Sequence, residues 1–565
     1  MRRRVLATGA ILAGAAFGGG ALLGGLHVSS KQRTVERFAA AWTRSDFAAM
    51  YGELSPPERA RIRRGAFAAA YQQALDTATA MRLVTGKPTR EGAAYRIPVR
   101  VQTRVWGAVR GTVRVPVTDT GVDWSHDLVF PGLRRGEKLT RTTRLPPRGD
   151  LLARDKTPLA RGAARSSPLA SASSITGALG PIPPDRRADL DALGVPPDAL
   201  VGTSGLERIF DVRLIGRPGG ELWAGRRAIA RAIPAASPAV RTTISTAVQT
   251  AAVDALGPRL GGIVALDPRS GAVLGASGIG FSGLQPPGST FKILTVTGAL
   301  EAGLTSPSRA YPFETKATLE GVDLANANGE SCGGTLVQSF AESCNSVFAP
   351  LGAKLGARRL VSVAERFGFN HETGIPGAAT SQIPDAEEIG DDLAVGSSAI
   401  GQGRVQATAL QMAIVAATIG LRGRRPRPTL DFAAARADAP TAQATRARTA
   451  RTVERLMLAV VRGGTGTAAA LPGVDVAGKT GTAELKTTTT PTCTPDPAVP
   501  AACPPPPPDD PSDTDAWFSA YAPAGTGRPR IAVGVLLVGA GAGGATAAPA
   551  ARTVLAAGLK ATSRP

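Results

Sequence analysis

Pro286-Pro287-Gly288-Ser289-Thr290-Phe291-Lys292-Ile293-Leu294-Thr295-Val296 joins a Pro-Gly turn to a run whose apolar residues surround a helix on nearly every side. A helix that is apolar all round belongs inside a core. Ser289 and Lys292 stand three apart and so share a face, which sets an amine beside a hydroxyl. Taken alone, Ser289 also reads as an ordinary helix N-cap, a position that Ser fills well. Two later words shift the balance. Ser289-Thr290-Phe291-Lys292 is the only Ser-x-x-Lys in the chain, and it is followed in order by Ser343-Cys344-Asn345 and Lys479-Thr480-Gly481-Thr482. Together they describe a serine acyl-transfer site that contains no histidine.

A serine hydroxyl is a weak nucleophile near neutral pH and needs a base within hydrogen-bond reach. Of the three His, His27 adjoins the N-terminal apolar run, His126 lies far upstream, and His371 has no evident acidic partner. That argues against a Ser-His-Asp triad. Lysine replaces histidine only when it is neutral, and burial together with a second cation lowers its pKa. Lys292 has the apolar helix, and Lys479 supplies the second cation. Ser343 and Asn345, one residue apart at a turn between two helical stretches, point into one cleft as proton relay and amide holder; alone they read as a helix cap. Gly473 to Thr480 also satisfies Gly-x-x-x-x-Gly-Lys-Thr, a phosphate-binding loop. Val474 and Val476 alternate there as in a strand, and Gly481 interrupts the helix such a loop requires, so a strand edge is the better reading.

The 565 residues exceed one ordinary core and predict several domains. Hydrophobic residues make up 43% and charged residues 19%, a globular balance. The net charge of +21 comes from scattered Arg, without the dense basic and aromatic stripe of a nucleic-acid binder. Arg2 to Arg4 precede an uncharged run, Val5 to Leu26, long enough to span a bilayer. The expectation is a retained single-pass anchor, residues 1–30, that leaves the remainder outside the cell; a cleaved signal peptide is the alternative. The four Cys form two close pairs, Cys332 with Cys344 and Cys493 with Cys503, which fits two disulfides in an oxidising compartment or four separate thiols. Their spacing is wrong for zinc, and neither metal nor cofactor is expected.

Val35 to Met50 and Pro57 to Leu75 have helical periodicity, and Tyr95 to Val105, Gly107 to Val117 and Gly121 to Phe130 read as strands. Residues 31–145 so built resemble the nuclear-transport-factor-two-like cone at the N-terminus of methicillin-resistance-type penicillin-binding proteins. Arg148-Gly149-Asp150-Leu151, with Ser204-Gly205-Leu206-Glu207 and Leu214 to Gly219, resembles the pedestal or dimerisation domain of that family, placed at residues 146–238. Ala153, Asp155 and Lys156 depart from its usual opening. The Ala- and Ser-rich tract Arg161 to Ser174 is expected to be poorly ordered. The third domain, 239–562, opens with helix Val248 to Leu256 and a hairpin, Ile263 to Leu266 and Ala272 to Ala276. With Gly401-Gln402-Gly403, Thr408 to Ala413 and Ala516-Trp517-Phe518 it resembles the transpeptidase domain of class B penicillin-binding proteins.

The resemblance implies an α+β multidomain protein whose transpeptidase domain is an antiparallel sheet flanked by helices. It implies that Ser289 is acylated, that Lys292 is its base, and that Ser343 and Asn345 assist proton transfer and substrate holding. Lys479, Thr480 and Thr482 would bind the substrate carboxylate, Gly481 lies in the same substrate-binding strand, and the Ser289 and Thr482 amides would form the oxyanion hole. The implied reaction is D,D-transpeptidation of peptidoglycan stem peptides, blocked covalently by β-lactams. A penicillin-hydrolysing or D,D-carboxypeptidase enzyme, or a non-catalytic β-lactam sensor, is the alternative. Expected partners are stem peptides, β-lactams, the membrane and other cell-wall synthesis proteins, and no nucleic acid. The departure from the family is a Pro-rich insertion, 487–515, expected to project from the catalytic strand pair, with Cys493 and Cys503 able to staple it.

Overall fold

The computed structural model describes residues 29–435, 442–484, 513–525 and 527–562. The expected anchor, Cys493 and Cys503, and the insertion up to residue 512 lie outside the described residues. Among those described, no helix is long and apolar enough to cross a membrane. The chain divides into two compact units, residues 1–143 with 190–194 and 219–233, and the remainder.

In the first unit, α1 (Ser30–Thr43), α2 (Phe47–Gly52), α3 (Pro56–Arg61) and α4 (Arg64–Thr77) precede β1 (Ala80–Thr85), β2 (Thr89–Glu91), β3 (Ala94–Thr103), β4 (Ala108–Thr118) and the two-residue β5 (Gly121–Val122). Val35, Phe38, Ala39 and Trp42 recur at helical spacing on α1 and are buried, while β3 turns Tyr95, Ile97, Val99 and Val101 inward and Arg96 and Arg100 outward. Each of the two long expected helices is broken. Asp46 caps α2 through the Ala49 amide, which ends the first, and Ile62 is extended between α3 and α4. The strand β1 was not anticipated. The expected strand Gly121 to Phe130 stops at Val122 and continues as a 3₁₀ turn, His126–Val129. Trp124 decides this: it is buried against Phe67 and its Nε1 donates to Tyr71 Oη at 3.3 Å, which draws the chain off the sheet.

Two segments of the expected pedestal, residues 190–194 and 219–233, cluster with this unit. The hairpin β7 (Gly219–Ala224) and β8 (Arg227–Ala232) pairs with β6 (Leu139–Arg144). Arg227 bonds Glu137 at 2.7 Å and Trp106 Nε1 donates to Gly220 O at 3.0 Å.

The second unit is built on a five-stranded antiparallel sheet. Its order is β10 (Val273–Gly278), β9 (Gly261–Leu266), β13 (Ile531–Leu537), β12 (Thr514–Ala522), β11 (Ala477–Glu484). The strand period of two divides two cores. Trp517, Tyr521, Ala532 and Leu536 enter one; Phe518, Ala520, Ile531, Val533 and Val535 enter the other, beneath α5 (Thr246–Leu256) and α12 (Ala547–Ala561). On the first face lie α6 (Lys292–Glu301), α7 (Leu336–Ala341), α8 (Asn345–Leu355), α9 (Ala357–Phe367), α10 (Ala409–Gly420) and α11 (Ala447–Gly463). Every residue of α10 is buried. Gly534 permits its approach, since a Cβ there would stand 1.9 Å from Ala409 O.

The tract Arg161 to Ser174 is packed, contrary to its composition. Arg165 bonds Glu207 at 2.7 Å, Ser171 and Ala172 are buried, and Gln249 Nε2 donates to Ser174 Oγ at 3.0 Å. Long-range partners order a segment that has little apolar surface of its own. Glu207 also accepts from Arg148 Nε at 2.7 Å, and Asp211 from Arg148 and Arg186 at 2.7 Å each; both carboxylates are 1% exposed. The Arg148 and Glu207 segments that resemble the pedestal therefore meet in one buried ion cluster. Glu207→Ala leaves Arg165 without a carboxylate and Arg148 with Asp211 alone, and should cost about 3–5 kcal/mol, read from the denaturant midpoint. A midpoint unchanged from wild type contradicts this account of the cluster.

Candidate active site

Ser289 lies in a 3₁₀ turn, Gly288–Phe291, that runs directly into α6, so it is not an N-cap. Gly288 adopts φ +51°, its amide donates to Gly401 O at 3.0 Å, and Thr290 Oγ1 donates to Pro287 O at 2.6 Å. Around it Gly288, Thr290, Phe291 and Lys292 are buried, while Ser289 is only half-buried. Strand β11 backs onto this turn without room for side chains. A Cβ on Gly288 would lie 2.6 Å from Thr482 O, and one on Gly481 would lie 2.7 Å from Pro287 O. β11 is also the edge of its sheet.

Lys292 is fully buried, and its Nζ donates to Ser343 O at 2.6 Å and Asn345 Oδ1 at 2.7 Å, with Ser343 Oγ at 3.3 Å. Lys479, equally buried, donates to Ser343 Oγ at 2.8 Å and Thr480 O at 3.0 Å. One hydroxyl therefore joins the two amines. Phe348 lies 5.6 Å from the first amine and Phe340 5.6 Å from the second, and the two rings meet edge to face at 5.7 Å. Burial, and then the charge of Lys479, push the Lys292 pKa well below the ordinary lysine value. Burial lowers Lys479 to about 7.

The donor count is informative. Both short bonds of Lys292 end on carbonyl oxygens, which only accept. A neutral amine has two N–H groups, enough for both, and its lone pair is then left for a hydroxyl.

Ser343 sits between α7 and α8 with φ +69°, a left-handed conformation uncommon for a residue with a Cβ. The two residues that follow hold the chain there. Cys344 is bonded to Cys332 with Cα atoms 5.5 Å apart, and Asn345 Nδ2 donates to Ala325 O at 2.7 Å. Of the open alternatives for these two cysteines, the disulfide is the one present.

Thr480 Oγ1 lies 2.6 Å from Thr465 Oγ1, and Thr482 Oγ1 accepts from the Gly543 amide at 3.4 Å. Thr465 was not anticipated, nor were Phe340 and Phe348; the Gly463-Gly464-Thr465-Gly466 run after α11 is the signal for the first. The phosphate-loop alternative is excluded. Lys479 and Thr480 lie within an antiparallel strand, paired with Ser519 and Phe518, and do not open a helix.

The family model of the penicillin binding protein transpeptidase domain matches residues 261–556. The peptidoglycan D,D-transpeptidase PbpA of Mycolicibacterium smegmatis is 36% identical over 301 residues, 49% of this chain and 55% of that protein. The chain thus spans about half the length of the curated relatives it matches. Among solved structures, the D,D-transpeptidase domain of a peptidoglycan glycosyltransferase from Eggerthella lenta has a TM-score of 0.58 at 27% identity, covering 74% of this chain and 100% of that one. Penicillin-binding protein A from M. tuberculosis, solved as its penicillin G acyl-enzyme complex, has a TM-score of 0.55 at 28% identity, with 73% and 99% covered.

Burial of the two amines fixes a pH dependence. Lys479 releases its proton at about 7 in the folded chain and near 10.5 when unfolded. Between those values the folded state holds fewer protons, so stability rises with pH across that window. Lys479→Met should flatten the rise. Denaturant midpoints of both proteins at several pH values across the window measure it, and equal slopes contradict the burial argument.

Proposed function

The chain belongs to the penicillin-binding-protein transpeptidase family, and from that premise we propose that it is a serine D,D-transpeptidase, cross-linking peptidoglycan stem peptides through an acyl-enzyme on Ser289 and blocked there by β-lactams. The observation that carries this reading is the pair of buried lysines that converge on Ser343 Oγ, at 3.3 and 2.8 Å, beside the serine's turn. Neutral Lys292 takes the Ser289 proton as Oγ bonds to the penultimate carbonyl carbon of a D-alanyl-D-alanine end. The Ser289 and Thr482 amides receive the oxyanion, at roughly 3–4 kcal/mol per donor. The C–N bond then breaks, and the departing D-alanine amine collects the proton from Lys292 through Ser343. In the second half an amine of a neighbouring stem attacks the ester, gives up its proton along the same path, and returns Ser289 to its hydroxyl. Lys479, Thr480 and Thr482 hold the terminal carboxylate, Gly481 lets strand β11 lie against the serine's turn, and Asn345 holds a substrate amide.

In this reading residues 31–145 are a nuclear-transport-factor-two-like spacer, supported by four helices followed by a sheet. Residues 146–238 are a pedestal and 239–562 the transpeptidase domain. Val5 to Leu26 is a single-pass anchor that holds the catalytic part outside the cell, and the Cys332–Cys344 disulfide supports that compartment. Other cell-wall synthesis proteins are the expected partners.

The test uses a fluorescent penicillin and a stem-peptide thioester with an acceptor amine. Wild type should hold the label and transfer the acyl group to the amine; Ser289→Ala should do neither. Lys292→Ala should lower the labelling rate by about 10²–10⁴ while the melting transition persists. Undiminished labelling removes Lys292 from the base role. Rapid loss of label points to hydrolysis of penicillin, and stable label without transfer to a sensor.

A further inference from the structure

A cavity of about 400 Å³ opens in the second unit between the end of α9 and the segment after α10. Its walls include Gly368, Glu372, Thr373, Gln411, Arg425 and Arg427. Arg425 is half-buried, in a two-residue strand paired with Ala442–Gln443, and its guanidinium makes no side-chain hydrogen bond or ion pair among the described residues. Burial alone lowers its pKa. A partly buried guanidinium with no counter-ion among the described residues is a candidate for pairing with an anionic ligand.

The cavity is shaped around that group. Gly368 ends α9 in the left-handed region at φ +112°, and a Cβ there would lie 2.7 Å from an Arg425 terminal nitrogen and 3.2 Å from the Gln411 amide. Gln411 is 1% exposed and anchored by its Nε2, which donates to Phe367 O at 2.8 Å. Arg427 stands against Gly374, where a Cβ would meet its Nε at 3.1 Å, and it too has no acidic partner among the described residues. Glu372 lines the same cavity, exposed and unpaired among the described residues. Ile414, Pro426 and Pro428 add apolar wall.

Among the described lining residues, half-buried Arg425 and exposed Arg427 against Glu372 leave a single net positive charge, which suits a carboxylate better than a phosphate dianion, since the latter would face Glu372. Guanidinium forks match carboxylates in a two-pronged geometry. We propose that this cavity is a second ligand site, distinct from Ser289, for a small α-amino acid whose carboxylate is held by Arg425 and Arg427 and whose ammonium meets Glu372. The same end group occurs on a free amino acid and, without its amine, at the C-terminus of a peptide; an N-acetylated probe separates the two.

Calorimetric titration of the full-length chain with D-alanine, L-alanine, N-acetyl-D-alanine and inorganic phosphate tests the assignment. Saturable alanine binding is expected, weakened about tenfold or more by Arg425→Gln, the usual loss for a charge-assisted bond. Glu372→Gln, at an exposed position that the fold does not need, should weaken alanine towards the affinity of its N-acetyl form and leave that form unchanged. Melting curves check that Arg425→Gln is folded. Absence of saturable alanine binding, binding indifferent to both substitutions, or phosphate bound more tightly than alanine overturns the proposal. An N-acetyl form that binds as well as alanine overturns the role of Glu372. Penicillin labelling of Ser289 is scored separately, so a failure here does not touch the acyl-transfer reading.

Discussion

Two lysine amines are buried without a carboxylate between them, and the arrangement of the second unit follows from that constraint. Burial of an uncompensated charge costs several kcal/mol, so the protein keeps the amines by lowering their proton affinity. Burial lowers both, and at Lys292 the charge of Lys479 is a second lowering cause. Each charge disfavours the other, so the pair resists holding two protons at once. In the proposed mechanism Lys479 attracts a carboxylate and Lys292 takes a proton, two roles for chemically identical side chains.

Several structural choices serve this pair. The all-apolar α6 buries Lys292, and β11 brings Lys479 to the same hydroxyl from the edge of the sheet. Phe340 and Phe348 present ring faces that tolerate an ammonium group in an otherwise dry site. Ser343 is the meeting point, held in a left-handed conformation by a disulfide at the next residue and an anchored amide at the one after. A hydroxyl that joins two amines has to be fixed because a displacement of about 1 Å breaks a hydrogen bond.

Much of the candidate site was legible in the sequence because the residues proposed to react fall in three short ordered words, each within one turn or strand. Ser289 with Lys292, Ser343 with Asn345 and Lys479 with Thr480 are set by local spacing. Thr465, Phe340 and Phe348 were not legible, since Thr465 acquires its role from Thr480 on another element and an aromatic on a helix usually signals only core. Ile263 to Leu266 and Ala272 to Ala276 read as a hairpin and form β9 and β10, whereas Gly121 to Phe130 also read as a strand and bent away because Trp124 found its partner on α4. Composition misread Arg161 to Ser174 for a related reason: Arg165 is ordered by Glu207, 42 residues further on.

The central claim is that Lys292 is an uncharged amine at neutral pH. A ¹³C NMR titration of the lysine ε-carbons, with the Lys292 signal assigned by its disappearance in Lys292→Arg, measures this directly. The account predicts a titration midpoint well below the ordinary lysine value of 10.5. A midpoint that remains near 10.5 would contradict it.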